Sequence, residues 1–442
     1  MPISRRTFLT HTAIGMSTTA AACTRPSEPP YAVAAASRAG AEARSGWAAV
    51  RAEFNLSEEY VHLGALLMAS HPRQVRDAIE KYRRELDRDP VGYLIEHNEV
   101  MQSRAREAAA AYLGGCAEEV ALTDSTTMGL GLLYAGLHLR RGQDVLTTSN
   151  GYFVTHEALR VASERSGARV RYIDLYEHGE EVSGEELTQR ITRAIAPHTR
   201  ALALTWVHSS TGLKMPLALI ADAVQRINAN RADHNRLLLC VDGVHGFGIE
   251  NATMSDLGAD FFAAGCHKWL FGPRGTGILW GRGDAWAAVN PTIPSFTDDV
   301  VWQSWLYDRE PDSPSTAARV MPGGFKAFEH QWAMPDAFAF HERIGRDHIA
   351  MRTHALARQL KEGLARMPHV HLITPMDERL SAGIVCFDVE GLLPRAVVRR
   401  LLDRRIIATV TPYAQMHARL TPSIVNTEQD VDTALDAIHA LR

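Results

Sequence analysis

Cysteine is scarce in this chain. Five are scattered over 442 residues, an odd number at wide spacings that points to neither a disulfide framework nor a zinc site. No sign of charge dominates: 47 Lys and Arg against 51 Asp and Glu leave a net charge of -4, so the basic field that holds nucleic acid is missing. Arginine clusters such as Arg399, Arg400, Arg404 and Arg405 recur at helical spacing beside apolar residues and read as solvated helix faces. The alanine-rich stretch near the N-terminus is too short and too rich in hydroxyls for a membrane-spanning helix. Beyond it there are no internal repeats and no low-complexity tract. What is present is a globular composition, 46% apolar and 22% charged, in a chain long enough for two domains with sizeable cores.

Residues 1–45 stand apart. In "SRRTFLT", Ser4 to Thr10, the pair Arg5 and Arg6 precedes Phe8 and Leu9, and an alanine-rich stretch then runs to Cys23 through "TAAAC". The segment resembles a twin-arginine export signal, and Ala20 to Cys23 is similar to a lipoprotein cleavage box, with alanine where a larger aliphatic residue is usual. The resemblance implies the twin-arginine export machinery as a partner and a location that is periplasmic, or membrane-anchored through a lipid on Cys23. These residues are read as signal and flexible leader, outside the fold.

From residue 46 the chain reads as folded. "EEYVHLGALLMASHP" predicts a short strand and a glycine turn before a helix from Pro72 onward. Between Asn98 and Val320 the apolar runs "EVALTD", "DVLTTSN", "VRYIDL", "ALALTWVH", "RLLLCVDG" and "DFFAAG" alternate with amphipathic segments. Near-continuous apolar strands separated by helices predict an α/β domain, 46–325, with a mainly parallel sheet covered on both faces. After "MPGG" the texture changes to long helical periodicity over "DAFAFHERIGRDHIAMRTHALARQLKEGLARM". Shorter strands follow: "HVHLITP", "SAGIVCFDV", "IIATVTP" and "ARLTPSIV", with helical "LPRAVVRRLLDRR" and "TEQDVDTALDAIHAL" among them. That order predicts a smaller α+β domain, 326–442.

Several residues stand at predicted strand ends, where open α/β sheets bind ligands. A strand Phe261–Ala264 turns at Gly265 and releases Cys266, His267 and Lys268. A lysine there is partly desolvated, which lowers its pKa towards the range where the amine is a nucleophile; a surface loop lysine is the plainer alternative. Asp242 ends "LLLCVD", where a buried carboxylate needs a cation such as a protonated ring nitrogen, or else caps a turn. Ser125, Thr126 and Thr127 open a glycine-rich helix whose free N–H groups, with three hydroxyls, form a phosphate site, although hydroxyl residues are also ordinary N-caps. Tyr152 follows another strand and either stacks on a planar ligand or belongs to the core.

"DGVH", Asp242 to His245, followed by "HKWLFGPRGTG", His267 to Gly277, resembles the class V aminotransferase group of pyridoxal-phosphate enzymes, which includes cysteine desulfurases and isopenicillin N epimerase-like proteins. The resemblance runs from about Asn55 to the C-terminus. It implies a fold type I homodimer with pyridoxal 5'-phosphate between the large and small domains. Lys268 would form the internal aldimine, Asp242 would pair with the pyridine nitrogen and Tyr152 would stack on the ring. Ser125, Thr126 and Thr127 would hold the phosphate, Ser209 in "VHSSTG" would face the phenolic oxygen, and His245 and His267 would lie beside ring and phosphate. Arg419 in "HARLTPSIVNTEQDVD" matches the arginine that grips the substrate α-carboxylate, the alternative being an unrelated small-domain arginine. One departure is visible: many relatives have Gly-Thr-Arg before the small domain, the threonine reaching the partner's phosphate, and this chain reads Gly323, Gly324, Phe325, Lys326.

The resemblance implies an enzyme acting at the α-carbon of an amino acid or related amine, by epimerisation, transamination or β-elimination. The motif after the lysine is closest to the epimerase-like branch. A cysteine desulfurase-like enzyme or a C–S lyase is the alternative; the sulfur-abstracting desulfurase suffers because it needs a mobile nucleophilic cysteine and Cys386 lies inside an apparent strand. A binding protein that has lost turnover is the other class, and the joint presence of Lys268, Asp242 and Arg419 weighs against it.

Overall fold

The computed structural model describes residues 46–441. The expected export signal with Arg5 and Arg6, and the expected lipid site at Cys23, lie outside the described residues. The described chain opens on a helical segment, 46–51, before β1 (Val61–His62), and Pro72, extended at φ -66° and ψ 160°, stands just ahead of the helix Arg73–Arg88. Asp89 separates this helix from the next, Pro90–Leu113, and caps it by accepting the Gly92 N–H at 3.0 Å; Pro90 sits at the first turn, where no N–H is needed.

The six apolar runs become β2 (Val120–Thr123), β3 (Asp144–Thr148), β4 (Arg169–Ile173), β5 (Thr199–Thr205), β6 (Leu238–Asp242) and β7 (Phe261–Gly265). A seventh strand, β8 (Gly277–Gly281), joins them in one sheet of order β2-β8-β7-β6-β5-β3-β4. The pairs from β4 to β7 are all parallel, and β8 runs antiparallel to both its neighbours. The sheet is therefore mostly parallel, as expected, with one reversed strand inside it. Strands β2, β3, β5, β6 and β7 are buried along their length, as continuous apolar runs require. β4 departs from that reading. It is the edge strand and none of its residues is buried, and Arg171 reaches across from it to the buried carboxylate of Asp144 at 2.5 Å.

Because β8 reverses direction between them, β2 and β7 point the same way as β3, β5 and β6. Thr123, Thr148, Thr205, Asp242 and Gly265 thus end on one edge of the sheet. Gly243 allows the turn beyond β6: a Cβ there would fall 2.0 Å from the Phe262 ring of β7.

The long helical stretch after residue 333 is two helices, Met334–Ile344 and Arg346–Ala365, broken at Gly345 with φ 92°. Next come β9 (Val370–Leu372), β10 (Val385–Val389), β11 (Ile406–Ile407), β12 (Thr409–Val410) and β13 (Ala418–Leu420). "IIATVTP" is therefore two short strands, in different sheets. β12, β13, β10 and β9 form an antiparallel sheet in that order, while β11 pairs in parallel with β1. Leu63, Leu356, Leu360, Phe387, Val397, Leu420 and Ile438 make the core of this second layer, and the larger core surrounds the seven-stranded sheet. Both sheets belong to one compact unit. No described helix is long and apolar enough to cross a membrane.

Candidate active site

A cavity of about 240 Å3 opens at the edge where the parallel strands end. Ser125, Thr126, Thr127, Tyr152, Asp242 and Lys268, found at predicted strand ends, and Ser209, His245, His267 and Arg419, implied by the family resemblance, all line it.

Beyond β2, Ser125 is the N-cap of the helix Thr126–Gly136: its Oγ accepts the Met128 N–H at 3.1 Å. The oxygen accepts that capping bond while its own O–H stays free to donate into the cavity that Ser125 lines. Thr126 Oγ1 is buried with no partner, and Thr126 and Thr127 occupy the first helical positions, where N–H groups have no intrahelical acceptor. Tyr152 follows β3 as the residue before the helix Phe153–Ser166 and is half-buried on the cavity rather than sunk in the core.

Beyond β5, the hydroxyls of Ser209 and Tyr413 are hydrogen-bonded at 2.7 Å, and the Tyr413 ring lies 6.1 Å from that of Tyr152. Burial pushes the Tyr413 phenol up to about 12. At the end of β6 the buried carboxylate of Asp242 accepts the Val244 N–H at 3.2 Å. Desolvation pushes its pKa up to about 6, although the backbone hydrogen bond and the charge of Lys268 pull the other way.

Lys268 sits in a tight loop after β7. Cys266 N–H donates to Thr276 C=O at 3.0 Å, Gly272 N–H to Cys266 C=O at 2.8 Å, and Phe271 N–H to Lys268 C=O at 3.0 Å. Phe271 adopts φ 56°, a left-handed conformation that costs an aromatic residue about 1–3 kcal/mol. Its ring packs edge-on against Phe54 at 5.1 Å, and Phe340 completes the cluster. Lys268 is half-buried with its amine opening on the cavity. Desolvation lowers its pKa to about 8; Asp242 opposes that shift and Arg419 adds to it. His245 is held well below its usual value by burial and by Lys268, and its Nδ1 accepts the Trp269 indole N–H at 3.3 Å. His267 is lowered by burial and by Lys268, and its Nδ1 is buried without a partner.

Arg419 comes from β13. Its Nη1 donates to Ser209 C=O at 2.5 Å and its Nε to Thr409 Oγ1 at 3.0 Å, so the guanidinium is anchored from behind and faces the cavity. Sequence reasoning missed Tyr413, Thr205, Leu66 and Leu67. Thr205, whose buried Oγ1 is unpartnered, could have been found as the last residue of a strand; the others carried no local signal. Among the described residues no cluster of His, Cys, Asp or Glu could hold a metal ion.

The aminotransferase class V family model matches residues 68–417. This chain belongs to the aminotransferase class V family. It is 26% identical over 411 residues to the isopenicillin N epimerase of Streptomyces clavuligerus, covering 89% of this chain and 98% of that protein. To a cysteine desulfurase of Klebsiella pneumoniae it is 26% identical over 363 residues, covering 76% of this chain and 82% of the other. Among solved structures, a C-DES variant with glycine covalently linked to its pyridoxal phosphate superposes with a TM-score of 0.77 at 21% identity, over 88% of this chain and 99% of that one. The cysteine desulfurase of Thermococcus onnurineus gives 0.75 at 20% identity, over 89% and 97%. The fold is fold type I of the pyridoxal-phosphate enzymes, and this class V protein is a pyridoxal-phosphate-dependent enzyme.

The residues present fit that cofactor. Of the lining residues Lys268 is the only lysine and Asp242 the only carboxylate, so each of the two chemical demands, an amine and an anion, has one candidate. Thr126 Oγ1 and His267 Nδ1 are buried polar atoms whose hydrogen-bonding capacity is unmet by the protein, as donors awaiting a phosphate would be.

Proposed function

We propose that this class V enzyme inverts configuration at the α-carbon of an amino acid, in the manner of the isopenicillin N epimerase-like branch. Bound pyridoxal phosphate supplies an aldehyde that bonds an amine and a protonated ring that draws electrons from the α-carbon. Lys268 would hold the cofactor covalently, and its amine would move the proton at the α-carbon. A pKa of about 8 suits both roles near neutral pH. Asp242, whose burial otherwise favours the neutral acid, would be held ionised by pairing with the protonated ring nitrogen. Thr126, Thr127 and His267 would hold the phosphate, Tyr152 would stack on the ring, and Ser209, hydrogen-bonded to Tyr413, and His245 would hold the rest of the cofactor. Arg419 grips the substrate carboxylate.

The observation that carries the proposal is the pairing of one half-buried lysine with one buried carboxylate in a cavity that also holds unmet phosphate donors. The similarity to two isopenicillin N epimerases supports the branch. Sulfur abstraction is disfavoured: no cavity-lining residue is a cysteine, and Cys386 is buried in β10 with its thiol pushed up to about 12. Homodimerisation is part of the proposal, as is twin-arginine export to the periplasm, with a lipid on Cys23 as the membrane-anchored form. The test is incubation with single-enantiomer amino acids in heavy water. Deuterium at the α-carbon of both enantiomers is expected; a keto acid identifies transamination instead, and released sulfide the lyase reading.

A further inference from the structure

We infer that Leu66 and Leu67 read the substrate side chain and select α-amino acids whose side chain is apolar and uncharged. The inference rests on the roles proposed for Lys268 and Arg419.

The segment Gly64 to Ala69 is fixed at both ends to the two functional groups. At one end, Thr421 N–H donates to Leu63 C=O at 2.8 Å and Thr421 Oγ1 to the same oxygen at 3.0 Å, two residues beyond Arg419. Gly64 continues that contact as a parallel bridge to Thr421. At the other end, Ala69 N–H donates to His267 C=O at 3.0 Å, one residue before Lys268. The segment therefore spans from the arginine's strand to the lysine's loop, and the two residues midway along it, Leu66 and Leu67, line the cavity. An α-amino acid with its amine at Lys268 and its carboxylate at Arg419 has two α-substituents left, hydrogen and the side chain. The wall offered between the two grips is leucine.

The charge inventory agrees. Lining charges are confined to Lys268, Asp242 and Arg419, each with a role, and burial keeps His245 and His267 towards the neutral form. Among the described residues, a side-chain carboxylate or ammonium entering this cavity meets no spare counter-charge, so it would be desolvated unpaired. Leu66 is 1% exposed, a fixed wall, whereas Leu67 is 57% exposed and stands at the rim, where a longer side chain can pass it.

The experiment is equilibrium titration of the cofactor-loaded full chain with leucine, aspartate and lysine, each as both enantiomers, followed by the visible absorbance of the cofactor. Leucine is expected to bind at least tenfold more tightly than the two charged amino acids. Leu67→Ala, tolerable at an exposed position, should weaken leucine by up to about tenfold, since each methylene withdrawn from contact is worth roughly fourfold, and leave aspartate unchanged. Leu67→Arg should raise the aspartate-to-leucine preference at least tenfold while the ligand-free absorbance stays that of the parent. Equal affinity of the parent for leucine and aspartate, or an unchanged preference in both variants, overturns the inference while leaving the site intact. A loaded protein whose absorbance responds to no amino acid overturns the proposed function and this inference with it.

Discussion

Replacing Lys268 with methionine should make the cofactor-free protein more stable at neutral pH. Desolvation lowers the Lys268 pKa from 10.5 to about 8, so at pH 7 the folded protein holds a cation that costs it about 3 kcal/mol relative to the neutral amine. The sign follows from the direction of the shift. A depressed lysine pKa means that folding favours the neutral form, so its contribution is fully present above pH 10.5 and is lost as pH falls through about 8. Asp242 behaves oppositely: raised from 3.8 to about 6, it contributes stability below pH 3.8 that is lost as pH rises through 6. At pH 7 both groups are charged against the preference of the cavity. Methionine keeps the length of the chain and removes the cation, but it also strips Asp242 of its attraction. Water in the open cavity reduces the cost further, so the net gain is about 1–2 kcal/mol. Urea unfolding of the apoprotein at pH 7 and pH 10 measures it. The variant should be more stable at pH 7 and the difference should shrink towards zero at pH 10. A variant less stable than its parent at pH 7, or a gain equal at both pH values, refutes the reasoning.

Arg419→Ala should leave the cofactor bound and weaken carboxylate-bearing substrates by about 2–4 kcal/mol, as a lost charge-assisted pair does; titration with an amino acid and its amide analogue checks it, since only the acid should lose affinity. Gly243→Ala should destabilise by about 1–3 kcal/mol through overpacking against Phe262 and loosen cofactor binding by shifting Asp242, which thermal melting and cofactor retention on dialysis report together. Replacing Arg5 and Arg6 by lysine should trap cofactor-loaded protein in the cytoplasm, read by cell fractionation; equal export of the variant would remove "SRRTFLT" as the signal.

The sheet was legible because buried parallel strands are written as short apolar runs, and six of them became β2 to β7. β8 was hidden: "GILWG" belongs to the same glycine-rich motif as Lys268, and nothing local says that it reverses and inserts between β2 and β7. The break at Gly345 was masked by helical periodicity that continues on both sides of it. Strand ends carry the polar site, so Asp242, Lys268 and the residues around Thr126 could be found one at a time. Leu66 and Leu67 could not, because they reach the cavity only through contacts between distant parts of the chain, and Tyr413 joins the site only through its hydrogen bond with Ser209. The pairing of β1 with β11, 345 residues apart at Val61 and Ile406, is a tertiary fact, as is the hydrogen bond between Tyr413 and Ser209.

The central claim is that Lys268 is the covalent anchor of the cofactor. Borohydride reduction of the loaded protein, proteolysis and mass spectrometry test it most directly. The account predicts a single phosphopyridoxyl adduct, on the peptide containing Lys268, and none in Lys268→Met. An adduct on another lysine, or a bound cofactor that borohydride does not attach to the chain, would contradict it.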